Sequence, residues 1–525
     1  MLSVVLLFIA CLAFYKFILY PFYFSPLAKI PNASPWAPIS CIWIQWKRYS
    51  GQEVTTFYQA FRDKGPVVRI GPDEVAVNDI EVVKTVHGYA QNNCIKPPWY
   101  SVFMHNDARN SFSSIGHDHS TRRHRVSPVY TKPFVQTSPH VRALLSFHLQ
   151  QRMLPLINER AMTGLPLDVL SNNFAFSLDF VTSFLFGLPR CANFMQEDGN
   201  LRKWLDSYAK VYAAPLYWLQ EFPLLVQWMR KLGIPLVSEG YFHDIDTFDE
   251  WIIPRVDATE VALAQISPDH ESVKPGEFPV VYNQLRSAVL MNEAADEKSH
   301  LSASQRLEIA SECLDHLVAT RDTFGIVISF VFYFISRHPD AQRKLRDELR
   351  SSPETFKFTP GQEHHIPSAT TLENLPFLNA ALKESIRLRG NVPTSNPRIT
   401  HDAITDLGPY NQIPVGTRVS AFAWCLHRNE DIYPDAEKWI PERWLSAEGD
   451  RFEGGEQERW FWAFGTGSRR CLGQNLAFEM LRYCVAAIFT NFETTISDDS
   501  TFMGPDGFVT GKVGEKLDIR FKRVQ

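Results

Sequence analysis

The sequence predicts a mainly α-helical body with small β-sheets, an α+β architecture, folded as a single domain behind one apolar N-terminal segment. Three observations carry this reading. Helix-period patterning fills residues 140–290 and returns in one long run from Ser304 to Ser336. Strand patterning is confined to short pieces, chiefly within 65–78. After the apolar start, no Gly/Ser linker, charge block or repeat divides the 525 residues. With 45% apolar and 13% aromatic residues the chain buries a large core, and a net charge of −5 gives no sign of a nucleic-acid partner. Eight cysteines are scattered, with neither Cys-x-x-Cys nor zinc spacing, which reads as free thiols in a reducing compartment.

Leu2 to Phe24 are apolar or aromatic except for Ser3 and Lys16. About 20 such residues cross a bilayer core. A cleaved signal peptide is the competing reading, but no Lys or Arg precedes Lys16 and the stretch is long for one. Lys29, Lys47 and Arg48 follow it, so the positive-inside bias places the remainder in the cytosol. Residues 1–24 are thus expected as a retained anchor. Residues 25–40, with Pro26, Pro31, Pro35 and Pro38, are expected as a stiff hinge, and 41–525 as the working domain. Next, 65–72 and 74–78 read as a hairpin.

His119 to Arg125 is a basic cluster opening a helix; taken alone it is a solvated face. Residues 140–290 show no chemistry, and their aromatic pieces, such as Tyr208 to Trp218, read as core. The long helix has Ser302 or Ser304 as cap, ends at His338-Pro339, and at ~1.5 Å per residue spans roughly 50 Å. Its apolar stripe is broken by Arg321-Asp322-Thr323, a charged pair that is costly inside a body unless partnered or facing a wet pocket. Glu384 and Arg387 stand at i,i+3 on one helix face, an arrangement most often seen as surface decoration.

The chemistry concentrates in 464–473. Cys471 lies in a Gly-rich loop, two residues after Arg469 and just before a helix running from Gln474 to Phe492. Orphan N–H groups, the helix dipole and a nearby cation are expected to lower its pKa, giving a nucleophile or a soft metal ligand in place of an inert thiol. A dinucleotide loop at Gly465-x-Gly467 is rejected, because Arg470 stands where a third Gly is needed.

Phe464-x-x-Gly467-x-Arg469-x-Cys471-x-Gly473 resembles the haem-binding signature of the cytochrome P450 superfamily, with all five fixed positions present. The resemblance implies the cytochrome P450 fold and haem b, with Cys471 as axial ligand of the iron. It implies that His119 and Arg123, and further on Arg398 with Arg469, meet the haem propionates. Glu384-x-x-Arg387 with Arg443 of Pro441-Glu442-Arg443-Trp444 matches the family's structural support of the haem loop. Ala319 to Phe324 matches the segment over the haem, in which Asp322 and Thr323 are the acid and alcohol that deliver protons. Thr320 and Phe324 depart from that pattern and imply a bulkier roof. Val392 to Asn396, and the turn from Phe502 to Gly507, are implied to line the pocket. Arg122 and Arg125, on other faces, are candidates for a redox partner. In its hinge and hairpin the chain is most similar to filamentous-fungal microsomal members.

The implied function is a membrane-anchored monooxygenase of the endoplasmic reticulum, catalytic domain cytosolic. It would oxidise a lipophilic small molecule, a fungal secondary-metabolite intermediate, with electrons from a separate NADPH–cytochrome P450 reductase, since no flavin or nicotinamide fold fits in the sequence. Two alternatives stay open: a dehydratase, isomerase or ring-forming oxidase of the same fold, and a tethered haem-binding protein without turnover.

Overall fold

The computed structural model describes residues 2–88, 94–115, 118–197, 199, 203–204, 207–208, 216–265, 273–291, 300–390, 395–401, 405–502 and 516–524. The helix-and-small-sheet architecture expected from the sequence is what it shows. The pieces of 392–396 and 502–507 expected to line a pocket lie outside the described residues, apart from Ser395, Asn396 and Phe502. Phe502 is itself buried, packed in the core against Phe330 and Tyr333.

The apolar start forms an α-helix, Leu2–Phe14, continued by a π-helix, Tyr15–Phe24. Pro21 inside the second half lacks the N–H for an α-type bond, and the Ser25 N–H instead reaches the Tyr20 carbonyl five residues back. Mean hydropathy over this segment is 2.2 and its side chains are exposed along nearly all of its length. Two other helices are long and apolar enough to cross a membrane, Val169–Phe186 and Ala303–Arg337, but both are largely covered by the body.

The proline-rich stretch is laid onto the sheet. Leu27 and Ile30 are buried, the Arg69 N–H donates to the Pro31 carbonyl, and the Ala33 N–H donates to Arg69. The Arg69 side chain, 2% exposed, donates from Nη1 to the Pro21 carbonyl at 2.7 Å and from Nη2 to Pro72 at 2.7 Å. It therefore ties the end of the apolar helix to the hairpin.

That hairpin, Val67–Gly71 with Glu74–Val77, forms as expected. It opens a five-stranded sheet that continues through Arg418–Ala421, Arg398–Thr400 and Cys94–Ile95, with only the Glu74–Val77 to Arg418–Ala421 pairing parallel. The sheet order delivers Arg398 and the segment after Ile95 to one place. The helical side carries the large core. At its centre run Val169–Phe186, nearly all buried, and the helix Ala303–Arg337, capped by Ser302 and Gln305 in a reciprocal box. The helix Gln474–Asn491 packs among them.

Candidate haem site

The loop before Gln474–Asn491 is folded tightly on itself. The Cys471 N–H donates to the Phe464 carbonyl at 2.8 Å, and Gly465 N–H to Trp462 at 3.0 Å. Gly467 takes a φ of +70°, and a Cβ there would stand 2.1 Å from the His87 carbonyl oxygen. This glycine is required by the backbone crossing behind the loop. Gly473 is the opposite case. Its backbone suits any residue, yet a Cβ would meet no atom within 4 Å, so open space lies beside the cysteine. Phe464 packs tilted against Phe478, ring centres 5.3 Å apart.

Cys471 is an exposed thiol despite being sunk within the body, so it faces an internal space rather than packed atoms. The backbone N–H groups of Gly473 and Gln474 are bonded to its sulfur. The expected fall in thiol pKa is not what the protein alone produces. Burial pushes the thiol up, and the two N–H groups with Arg123 and Arg470 offset only part of that. A metal cation bound to the sulfur deprotonates a thiol outright.

Beside Cys471, cations converge. His119, on the helix Asp118–Val126, is buried, and burial together with Arg469, Lys96, Arg123 and Arg398 pushes its imidazole down to about 3. Burial and Arg398 push Arg469 down to about 10, while burial, Arg398 and Arg469 hold Lys96 well below the lysine range. Among the described residues, three of these groups answer neutral oxygens. Arg469 Nη1 donates to the Ser114 carbonyl at 2.8 Å, Arg398 Nη1 to the Tyr100 hydroxyl at 3.0 Å, and Lys96 Nζ to the Phe112 carbonyl at 2.6 Å. Four cations pressing on one another inside a protein form a site that an anion completes. A group bearing two carboxylates and a soft-ligated metal fits both halves. The residues present therefore suit haem.

The sequence named His119, Arg123, Arg398 and Arg469, and the structure brings them together. It missed Lys96, which sits alone between Ile95 and Pro97 with no motif to flag it. Arg122 and Arg125, held as candidates for a redox partner, are instead both paired to Glu308 of the long helix, at 3.4 and 3.0 Å.

Above the site the long helix is interrupted by a π-helical turn, Arg321–Gly325. Arg321 accounts for its buried charge by lying between the rings of Phe174 and Tyr208, 3.9 and 4.3 Å from their centres. Thr323 is half-buried in that turn, and the side chain of Asp322 lies outside what the structure describes. Phe324 does not build a bulkier roof. It is 4% exposed, in the core beside Phe176, because the extra residue of a π-turn rotates the face that follows by about 100°. Thr320 turns its hydroxyl onto the His316 carbonyl at 2.8 Å. One turn earlier Ala319 is exposed and Asp315 half-buried, although their neighbours Ile309 to Leu314 are all buried. This is the stripe of the helix that faces open space.

Beneath the loop, Glu384, Arg387 and Arg443 interlock as expected. Glu384 accepts from Arg387 Nε and Nη2, both at 2.8 Å, and from Arg443 Nε at 3.0 Å. Arg387 donates to the His427 carbonyl, and His427 Nε2 accepts from the Trp462 N–H, which carries the support to the loop.

A buried cysteine with N–H donors at its sulfur, set against a cationic wall and under an interrupted long helix, defines a haem-thiolate protein. The cytochrome P450 family model matches residues 31–518, and the chain belongs to that family. It is 25% identical over 90% of its length to the cytochrome P450 monooxygenase BOT1 of Botryotinia fuckeliana, covering 86% of that protein. It is 26% identical over 95% to the cytochrome P450 monooxygenase hkm5 of Aspergillus hancockii, covering 92%. It is 24% identical over 90% to the N-acetyltryptophan 6-hydroxylase ivoC of Emericella nidulans, covering 87%. The chain is a cytochrome P450 monooxygenase.

Proposed function

We propose that this enzyme is anchored in the endoplasmic reticulum membrane by residues 1–24 and hinged by 25–40. Its cytosolic domain, 41–525, oxidises a lipophilic intermediate of fungal secondary metabolism with electrons from a separate NADPH–cytochrome P450 reductase. The observation that carries the reading is the cluster of Lys96, Arg123, Arg398 and Arg469 around a neutral His119, with Arg123 acting also on Cys471.

Haem b, when bound, supplies the reductive activation of dioxygen. Cys471 would hold its iron, with the N–H groups of Gly473 and Gln474 drawing on the sulfur's charge. His119, neutral, would donate a ring N–H to a propionate, while Arg123, Arg398 and Arg469 would neutralise the two carboxylates. Phe464 and Gly467 hold the loop's shape. Thr323, half-buried in the π-turn, would hold a proton at its hydroxyl, with Asp322 of the same turn as the acid that supplies it. Glu384, Arg387 and Arg443 keep the loop in register from below.

The test is co-expression with a fungal reductase, comparing metabolites against a Cys471→Ala control. New oxidised products in the wild type alone are expected. Identical products in both, or a reduced protein whose carbon monoxide complex lacks the red-shifted Soret band of sulfur ligation, would overturn the reading.

A further inference from the structure

We propose that Asp315 is a substrate-recognition residue: its carboxylate, on the cavity-facing stripe of the long helix, binds an ammonium group of a lipophilic substrate. The inference rests on the function proposed above and narrows its substrate class.

Position comes first. Asp315 and Ala319 lie four residues apart in the α-helical stretch before the π-turn, so they share one helix face. On that face Ala319 is exposed in mid-helix, which places the face along open space within the body. Asp315 lies toward the haem wall, since its charge acts on Lys96, and the Tyr130 phenol feels both Asp315 and Cys471.

Its lack of a partner is the second point. Among the described residues the Asp315 carboxylate makes no hydrogen bond and no ion pair, although burial is costly to it. Its neighbour Glu312, by contrast, has a hydrogen-bond donor on one oxygen and a histidine near the other. Glu312 Oε2 accepts from the Ser111 N–H at 2.7 Å, and Glu312 Oε1 lies 3.5 Å from His316 Nε2. Lys96 is no substitute, being held by the Phe112 carbonyl and the faces of Tyr100 and Phe112. The groups that surround Asp315 are Glu312 and His316 on its own helix, Lys96, Tyr130, and His105, which is drawn to Asp249 at 3.7 Å. Burial and Glu312 raise the Asp315 carboxyl to about 7, against the partial offset of His316, His105 and Lys96. A ligand cation is the charge that would settle it in the ionised form.

The test uses phenylpropyl-trimethylammonium, which cannot ligate iron, and its uncharged carbon isostere, (4,4-dimethylpentyl)benzene. Their affinities for the haem-loaded full chain are measured by equilibrium dialysis, so the readout does not depend on turnover. The preference for the cation over its isostere should fall about tenfold or more in Asp315→Asn. In the wild type that preference should rise as pH passes from 6 to 8, because the probe's charge is fixed and only the carboxyl titrates. An unchanged preference in Asp315→Asn overturns the proposal. Where that variant does not fold, a flat wild-type pH profile overturns it alone. A failed carbon monoxide signature would instead count against the thiolate reading and leave the dialysis ratios interpretable.

Discussion

Replacing Glu384 by Ala should be among the costliest single changes in this protein. The carboxylate is fully buried and accepts five hydrogen bonds: two from Arg387, one from Arg443 Nε, one from Trp444 Nε1 at 2.9 Å and one from the Ile440 N–H at 3.0 Å. Its removal leaves the Arg387 charge, 1% exposed, with only the carbonyls of His427, Ala436 and Lys438. Breaking a buried pair in this way costs about 3–5 kcal/mol. The orphaned Trp444 and Ile440 donors add to that, less than additively because they share one partner. Replacing both partners by apolar residues of similar size removes the stranded charge and is often near neutral. Glu384→Leu with Arg387→Met should therefore be milder than Glu384→Ala alone. Urea unfolding of the haem-loaded protein, followed by tryptophan fluorescence and by the Soret band, compares the three. A loss under ~1 kcal/mol in Glu384→Ala, or a paired variant worse than the single one, would refute the reasoning.

Two further outcomes are expected. His427 is buried and pushed down to about 3 by burial and Arg387, so it stays neutral in the fold while the unfolded chain takes up a proton near pH 6.5. Its contribution is intact at neutral pH and is lost as pH falls, by about 2 kcal/mol at pH 5. Wild type minus His427→Gln across pH 7 to 5 reads this directly, and parallel curves would count against it. Gly467→Ala should block loop formation, since its Cβ meets the His87 carbonyl, whereas Gly473→Ala should fold normally yet take up less haem. Circular dichroism together with the haem-to-protein ratio separates the two; equal haem occupancy in Gly473→Ala and wild type would remove Gly473 from the site.

What the sequence could and could not announce follows from how each residue earns its place. The cysteine loop, Glu384-x-x-Arg387 and the His119–Arg123 pair have fixed spacing, so order along the chain carries them. Lys96 belongs to the site only because the strand Cys94–Ile95 pairs with Arg398–Thr400, a long-range contact with no local pattern. Phe324 was misjudged for a local reason. Helical spacing assumes 3.6 residues per turn, and the π-turn at Arg321–Gly325 breaks that count just where the roof is built. The fall in thiol pKa was misjudged because orphan N–H groups are visible in sequence while burial is not. Asp315 could be read as one more polar residue on a long helix until its neighbour Ala319 proved exposed.

The bond from Arg69 to Pro21 sets a limit on how the molecule can stand. Under the anchoring proposed above, any nodding of the head on its stalk would strip a buried guanidinium of an acceptor, so the bond resists a change in the body's contact with lipid. Trp36, Ile42, Trp46, Leu224 and Trp228, all more than half exposed, give the surface a greasy flank suited to that contact.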